Sequence, residues 1–525
     1  MIGLANSSVE AAMEKTCAVK IATSISVVLL CLGCQGSLQS LKSRMDGLIN
    51  EYVGHRNFMG TVLVADEAKV VFVKGYGLAD VEKNIPNTPE TRFMIGSITK
   101  EFTAMLVTQL AEKGKLKFEN TISDFLPDFP REIGQRITVE MLLNHTSGLI
   151  LPEGIEKYYY ASTKEEFLKE YLKQLSEEGL RFEPGKGYGY SNAGYHILGL
   201  IIEKVTGKTY EAVLHEQILD PLGMSNTGCN KKGLVLNNRA YSYCRLPDRY
   251  VTWNNEQSHD PEVVYFGAGV MYSTVGDLFK FSKAHSSNAL LSPEYMEAYL
   301  KLRNVKSRPP IPYIPQKLVD ELFKTCGNGF VGEISVIQHS DSKEETLYWH
   351  DGTMYLFKSF HYHFAGKDQI IIILSNCSLI CEGDEMALRI YQVLNNRPYE
   401  HIRIKNSLRQ YLEEEVAMHA GIPAAIDEYF RLKSDTLTFI VPDREYVLNI
   451  GRQVAERGDL DNAILILRAA LTEHPESWEA HDALGETYIM KGDTTLAVQS
   501  FRKSLQLNPQ NIRAMEVLKK LEKRN

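Results

Sequence analysis

The sequence predicts two folded units in tandem. The first is an α/β (α+β) domain, an antiparallel sheet flanked by helices and carrying a helical insertion; the second is all-α. Three observations carry this reading. Runs of β-branched residues open the first unit and return at its end, helical spacing fills the stretch between them, and beyond about residue 440 small residues recur at a period of 34. At 525 residues the chain is too long for one average domain. Its 44% hydrophobic and 24% charged residues are the composition of an ordinary globular protein. A net charge of −8 leaves no basic footprint for nucleic acid.

The N-terminus stands apart. Lys15 and Lys20 precede "IATSISVVLLCLG", 21–33, an apolar run that closes on small residues before Cys34. That order of charged, apolar and small residues is the pattern of a secretory signal, and the run is too short to span a bilayer comfortably. Leu32-Gly33-Cys34 resembles the tail of a bacterial lipoprotein signal, which makes Cys34 a candidate lipid anchor. Residues 1–34 are therefore read as a signal peptide, with Met13 as an alternative start.

The first unit, 35–400, begins with "GTVLVADEAKVVFVKGYG", 60–77, two β-branched runs around a polar turn at 66–69, the pattern of an antiparallel hairpin. From Ser97 the spacing turns helical: Ile98, Phe102, Met105, Leu106 and Leu110 form one apolar stripe and Gly114 ends it. Helical pattern with Pro and Gly breaks ("PGKGYG", "DPLGM") continues to about residue 300. Strand signals return at "NGFVGEISVIQH", "TLYWHDGTMYLFKSFHYHF" and "QIIIILSN". Strands at both ends imply a sheet closed by the two termini of the domain.

Residues 401–440 read as a helical connector and 441–525 as the all-α unit. Gly451, Gly458, Ala463, Ala470 and Pro475 are followed by Gly485, Gly492, Ala497, Ser504 and Pro509, each 34 residues later. This is the tetratricopeptide period, with small residues where two helices pack closely. Two repeats and a last helix, "RAMEVLKKLE", are fewer than the three units such arrays need, so the array is expected to lean on 405–432 or on the first unit.

Cysteine is of little help. Of eight, at 17, 31, 34, 229, 244, 326, 377 and 381, five lie in the body and none forms a CxxC, which predicts neither a disulfide framework nor a zinc site. His361 and His363 alternate in "FHYHF" and are read as structural residues on one face of a strand, not as metal ligands. The sequence calls for no cofactor.

Chemistry enters with three short motifs. Ser97 precedes Lys100 by one helical turn, Tyr190-Ser191-Asn192 opens another helix, and His350-Asp351-Gly352 sits on a strand pattern near the end of the domain. Singly they are weak: Ser500 and Lys503 repeat the first spacing inside a repeat helix, and His419 and Gly421 repeat the third. Together, in this order and on these elements, they resemble the serine hydrolases of the β-lactamase and penicillin-binding type. The branch includes class C β-lactamases, D-Ala-D-Ala carboxypeptidases, D-aminopeptidases and esterases. The resemblance runs over roughly 45–395 and includes "TPETRFMIGSITKEFTA", "TVEMLLNHTSGL", "ILDPLGMSNT" and "GAGVMYSTVGDL". Tetratricopeptide repeats also accompany bacterial relatives.

The resemblance implies a β-lactamase/transpeptidase-like fold and a division of labour. Ser97 would be the nucleophile, and Lys100, on the same helix face, its base. Tyr190 would be a second proton carrier; whether it or Lys100 accepts the first proton stays open. An oxyanion would meet the backbone N–H of Ser97 at the helix start and that of Thr353. Asn192 would hold the substrate's acyl-side amide, His350 its distal group, and Gly352 would let backbone approach closely. A free lysine, with a pKa of about 10.4, is a poor base; bringing it to about 7 requires roughly 4 kcal/mol of burial and neighbouring charge.

Two departures narrow the substrate. His350-Asp351-Gly352 stands where β-lactamases carry Lys-Thr-Gly, and Leu356 stands where the family has glycine. Histidine in place of a permanent cation ranks peptidase or esterase activity on a small amide or ester, such as a D-amino-acid peptide, above β-lactam hydrolysis. The expected protein is an exported, periplasmic or membrane-anchored serine hydrolase working through an acyl-enzyme. Two rivals remain: a non-catalytic receptor for peptidoglycan fragments or β-lactams, and a scaffold that docks a protein partner on the repeats.

Overall fold

A computed structural model of the chain describes residues 39–54, 58–149, 164–231, 233–245, 250–252, 267–306, 323–338, 343–377, 382–398, 406–407, 426, 430, 439–440, 444–456 and 458–522. The leader, Cys34 and most of the 401–440 connector lie outside these residues. The chain divides into one unit of Met1–Ser242 with Asn254–Glu400 and a second of Tyr243–Trp253 with His401–Asn525.

The first unit is built on eight strands: β1 (Gly60–Asp66), β2 (Lys69–Tyr76), β3 (Arg303–Lys306), β4 (Phe323–Gly329), β5 (Gly332–Gln338), β6 (Glu344–Met354), β7 (Phe357–Phe364) and β8 (Gln369–Ser375). Their order is β3-β4-β5-β6-β7-β8-β1-β2, every pair antiparallel. The first strand thus closes against the last, Gly60 opposite Ser375. Both β1 and β8 are covered on two faces, which is why "VLVA" and "IIIIL" are continuous rather than alternating apolar runs. The edge strand β2 buries only Phe72 and Tyr76, and leaves Val70 and Val73 exposed.

The described helices of this unit include α1 over 39–54, α2 (Thr99–Glu112), α3 (Asn192–Thr206), α4 (Val275–Ala284) and α5 (Glu382–Leu394). α4 packs on β1 and β8, and α5 on β7 and β8. The stripe predicted for α2 is present, but the helix is buried on every side from Thr99 to Ala111. Its polar residues are therefore partnered: Thr103 Oγ1 donates to the Gly267 carbonyl at 2.7 Å and Gln109 Nε2 to that of Leu290 at 3.0 Å. Gly114, at φ +65°, terminates it as expected.

Several pieces escaped the sequence pattern. The strand signal at "NGFVGEISVIQH" covers the end of β4, the turn and β5, and the "TLYWHDGTMYLFKSFHYHF" run bends at Tyr355 into β6 and β7. Phe93–Met94, just before the stretch read as helical, forms a small three-stranded sheet with Gly228–Cys229 and Met271–Ser273 inside it. Each is two or three residues long, too short to show a period.

The second unit carries α6 (Arg444–Glu456), α7 (Leu460–Glu473), α8 (Trp478–Lys491), α9 (Thr494–Leu507) and α10 (Ile512–Glu522). Arg444, Trp478 and Ile512 open helices 34 residues apart, as do Leu460 and Thr494. The small residues are needed where they stand: a Cβ on Gly451 would come within 2.6 Å of Leu467, and one on Gly485 within 2.7 Å of Phe501. Ile426 and Phe430, from the preceding segment, pack on the Val447–Ile450–Val454 cluster. Lys503 reaches Gln506 at 3.1 Å on an exposed helix surface, as a solvated lysine does.

Candidate active site

Ser97 lies on a single 3-10 turn, Gly96–Ile98, that runs directly into α2. The strand preceding it is pinned by pairing with Met271–Ser273, and the Ile95 N–H donates to the Met271 carbonyl at 2.9 Å. One turn on, Lys100 Nζ sits 2.9 Å from Ser97 Oγ and donates to the Ala268 carbonyl at 2.6 Å. Lys100 is 1% exposed, and burial pushes its ammonium down to about 7, with Asp351 opposing the shift. Sequence reasoning expected neighbouring positive or polar groups to share that work; here burial does it, and the resolved neighbouring charge acts the other way. With one N–H committed to Ala268, the free amine's lone pair can face Ser97.

Tyr190 joins from the segment before α3. Its hydroxyl lies beside the Ser97 side chain, and Lys100 Nζ lies 4.9 Å from its ring centre. The residue as a whole is 44% exposed, yet burial around the hydroxyl raises the phenol well above its ordinary value of 10. It therefore stays protonated at neutral pH. The two carriers separate: Lys100 is the group able to accept the first proton, Tyr190 the one able to donate. Asn192 is the first residue of α3 and half-buried; the cap of that helix is Ser191, whose Oγ accepts the Gly194 N–H at 3.0 Å.

The facing wall is β6. Its partner β5 reaches only to Glu333, opposite Trp349, so residues 350–354 run past it with an open backbone edge on that side. Gly352 packs on the nucleophile's own approach strand: a Cβ there would stand 2.0 Å from the Ile95 carbonyl oxygen. Ser359 Oγ secures the same contact by donating to that carbonyl at 2.7 Å. Gly96, at φ +50°, meets the Thr353 backbone, where a Cβ would come within 2.7 Å. These contacts bring the amide-bearing segments of Ser97 and Thr353 together, as an oxyanion hole requires. The Thr353 hydroxyl accepts a bond from Lys358 at 2.8 Å.

His350 is 6% exposed and burial lowers its pKa, so the ring is neutral at neutral pH. Its Nδ1 lies 2.5 Å from the Asp351 carbonyl. Only a protonated Nδ1 can bond a carbonyl, so the neutral ring keeps Nε2 as an acceptor.

Two sets of residues were missed from sequence. His145, within the quoted "TVEMLLNHTSGL", stacks on Tyr190 with ring centres 4.6 Å apart and accepts the Ser191 N–H on Nδ1 at 3.0 Å. Glu101, beside Lys100, pairs with His361 at 2.9 Å, both buried; His363 pairs with Asp368 at 2.6 Å, and His285 lies between the two histidines. His361 and His363 do share a strand face, as read. Neither contact has a local signal, since 46 and 260 residues separate the partners. Among the described residues no group of His, Cys, Asp or Glu is placed to hold a metal, and no helix is long and apolar enough to cross a membrane. Cys229, Cys326 and Cys377 are buried and in no disulfide.

The Beta-lactamase family model matches residues 45–391. PbpX of Bacillus subtilis (strain 168) is 32% identical over 255 residues, covering 47% of this chain and 60% of that protein's own length. The teichoic acid D-alanine hydrolase of Staphylococcus aureus is 28% identical over 305 residues, covering 56% of this chain and 70% of that one. Among solved structures, the D-amino acid amidase of Ochrobactrum anthropi SV3 complexed with D-phenylalanine superposes with a TM-score of 0.55 at 22% identity, over 68% of this chain and 99% of that one. That last likeness is one of fold.

Proposed function

The chain belongs to the beta-lactamase family, and on that premise we propose that it is a serine hydrolase cleaving a small amide or ester through an acyl-enzyme on Ser97. The observation that carries the reading is Lys100 Nζ, 2.9 Å from Ser97 Oγ with its pKa brought to about 7. Uncharged Lys100 takes the hydroxyl proton as Oγ attacks the carbonyl carbon. The oxyanion forms against the N–H groups of Ser97 and Thr353, and Tyr190 gives its proton to the departing nitrogen or oxygen. The lysine ammonium returns that proton to the phenol, and water repeats the path in reverse. A receptor without turnover has no use for a lysine buried and discharged beside a serine.

The substrate class we favour is a D-amino-acid amide or ester with a free ammonium. A neutral His350 that keeps Nε2 as an acceptor suits a donor-bearing substrate better than a carboxylate. The S. aureus relative is by name a D-alanine hydrolase, which agrees. Asn192 is assigned to the substrate's acyl-side amide. Turnover of D-alanine methyl ester and D-phenylalanine amide should exceed that of N-acyl-D-Ala-D-Ala and of a chromogenic cephalosporin. Ser97→Ala should abolish all of it; an unchanged rate in that variant would refute the reading.

We assign residues 1–34 to export, with Cys34 as the lipid-bearing residue, and the 34-residue array to the tetratricopeptide class as a docking surface for a protein partner. Deleting 441–525 separates docking from packing. A soluble enzyme of unchanged rate that has lost a pull-down partner supports docking, and an insoluble product supports packing.

A further inference from the structure

We propose that His145 is the positioning residue of the Tyr190 phenol, aiming its hydroxyl at the leaving group. This rests on the reading of Tyr190 as the proton donor. His145 holds the segment on both sides of that tyrosine. Its carbonyl accepts the Gly189 N–H at 2.9 Å, and its Nδ1 accepts the Ser191 N–H at 3.0 Å. Between these two bonds the rings of His145 and Tyr190 stack, 4.6 Å apart and 29° from parallel. Tyr195 backs the imidazole at 5.1 Å and is itself fixed by its hydroxyl on the Leu143 carbonyl at 3.1 Å.

This support matters because Tyr190 is 44% exposed, and a tyrosine so open is otherwise free to change rotamer. His145 also sits at φ +58°, a left-handed backbone that residues other than glycine rarely adopt. The position asks for three properties at once: a flat ring, an acceptor on it, and tolerance of that backbone. Asparagine supplies the last two and phenylalanine only the first, so the two substitutions dissect the role. Because Nδ1 accepts a backbone N–H, the working imidazole is neutral with its proton on Nε2.

A misaimed Tyr190 slows acylation only where the leaving group needs a proton. Fluoride and p-nitrophenolate leave without one; methoxide does not. The test compares fluorophosphonate labelling, p-nitrophenyl butyrate and methyl butyrate in the full chain, its His145→Asn and His145→Phe variants, and Tyr190→Phe. For His145→Asn, labelling and kcat/KM on the p-nitrophenyl ester, which report acylation alone, should stay within about threefold of the parent, while kcat/KM on the methyl ester falls about tenfold or more. Tyr190→Phe should lose at least as much on the methyl ester, and adding His145→Asn to it should cost that ester nothing further. His145→Phe, if folded by the labelling criterion, should fall between. An equal loss on both esters, or a double variant worse than Tyr190→Phe, would reduce His145 to a packing residue. A parent that takes no label overturns the hydrolase reading, and this inference with it.

Discussion

The carbonyl oxygen of Ala268 takes a hydrogen bond from Lys100 Nζ at 2.6 Å, on a strand approach separated from the lysine by 168 residues. The bond fixes one N–H of an amine that burial has discharged, and so decides where the remaining lone pair points. For a lysine at about 7, kcat/KM should rise about tenfold per pH unit below that value and level off above it. A pH profile with p-nitrophenyl butyrate checks this. Lys100→Arg, a permanent cation, should lose about 1,000-fold or more at every pH.

Asp351 raises the pKa of Lys100, against the larger effect of burial. Asp351→Asn removes that opposition. The acidic limb of the rate profile should move to lower pH, with little change on the plateau. A limb that stays in place would assign the titration to another group.

The same shift has a sign in stability. The folded chain holds Lys100 at about 7, against about 10.5 unfolded, so between these values the unfolded chain binds the extra proton. Stability should therefore rise with pH across that window, by up to about 1.4 kcal/mol per pH unit from this group. Denaturant melts of the parent at pH 7 and pH 9, beside Lys100→Met, isolate it: the rise should shrink in the variant.

Gly96 and Gly352 are where backbone meets backbone under the nucleophile. Gly96→Ala places a Cβ 2.7 Å from the Thr353 backbone at φ +50°, and Gly352→Ala one 2.0 Å from the Ile95 carbonyl oxygen. Each should cut turnover by about 100-fold or more, since displacement of about 1 Å is enough. Gly114→Ala is the control: it shares a positive φ of +65° but faces open space, and should cost about 1 kcal/mol of stability without touching the rate.

The placement of these residues was only partly legible in sequence. Ser97, Lys100 and Tyr190 could be singled out because three short motifs, each weak alone, occur together and in order within stretches that resemble a known family. The β-branched runs of β1, β2 and β8 marked them as strands, but which was central and which at the edge came only with the structure. His145 could not be read, since its partner is the backbone of Ser191 and its left-handed φ leaves no spacing signal. The Glu101–His361 pair joins a buried helix to a strand far along the chain, and alternation revealed only the face, not what stood opposite.

That pair belongs to a buried histidine group with its own pH signature. Burial, then His363 and His361, hold the His285 ring well below its ordinary 6.5; Tyr299 and Phe281 also face it, and Glu101 and Asp368 close the two ends. A depressed folded pKa means the unfolded chain gains the proton first. The contribution is full above 6.5 and is lost as pH falls below it toward the folded value. Melting temperature should drop between pH 6.5 and pH 5, and less steeply in His285→Phe.

The most direct test of the account is the intact mass of the purified protein after exposure to a fluorophosphonate, with Ser97→Ala treated alongside. One adduct on the parent and none on the variant is the predicted result, an activated serine at 97. An unlabelled parent that also leaves p-nitrophenyl butyrate intact, or a label that persists in Ser97→Ala, would contradict it.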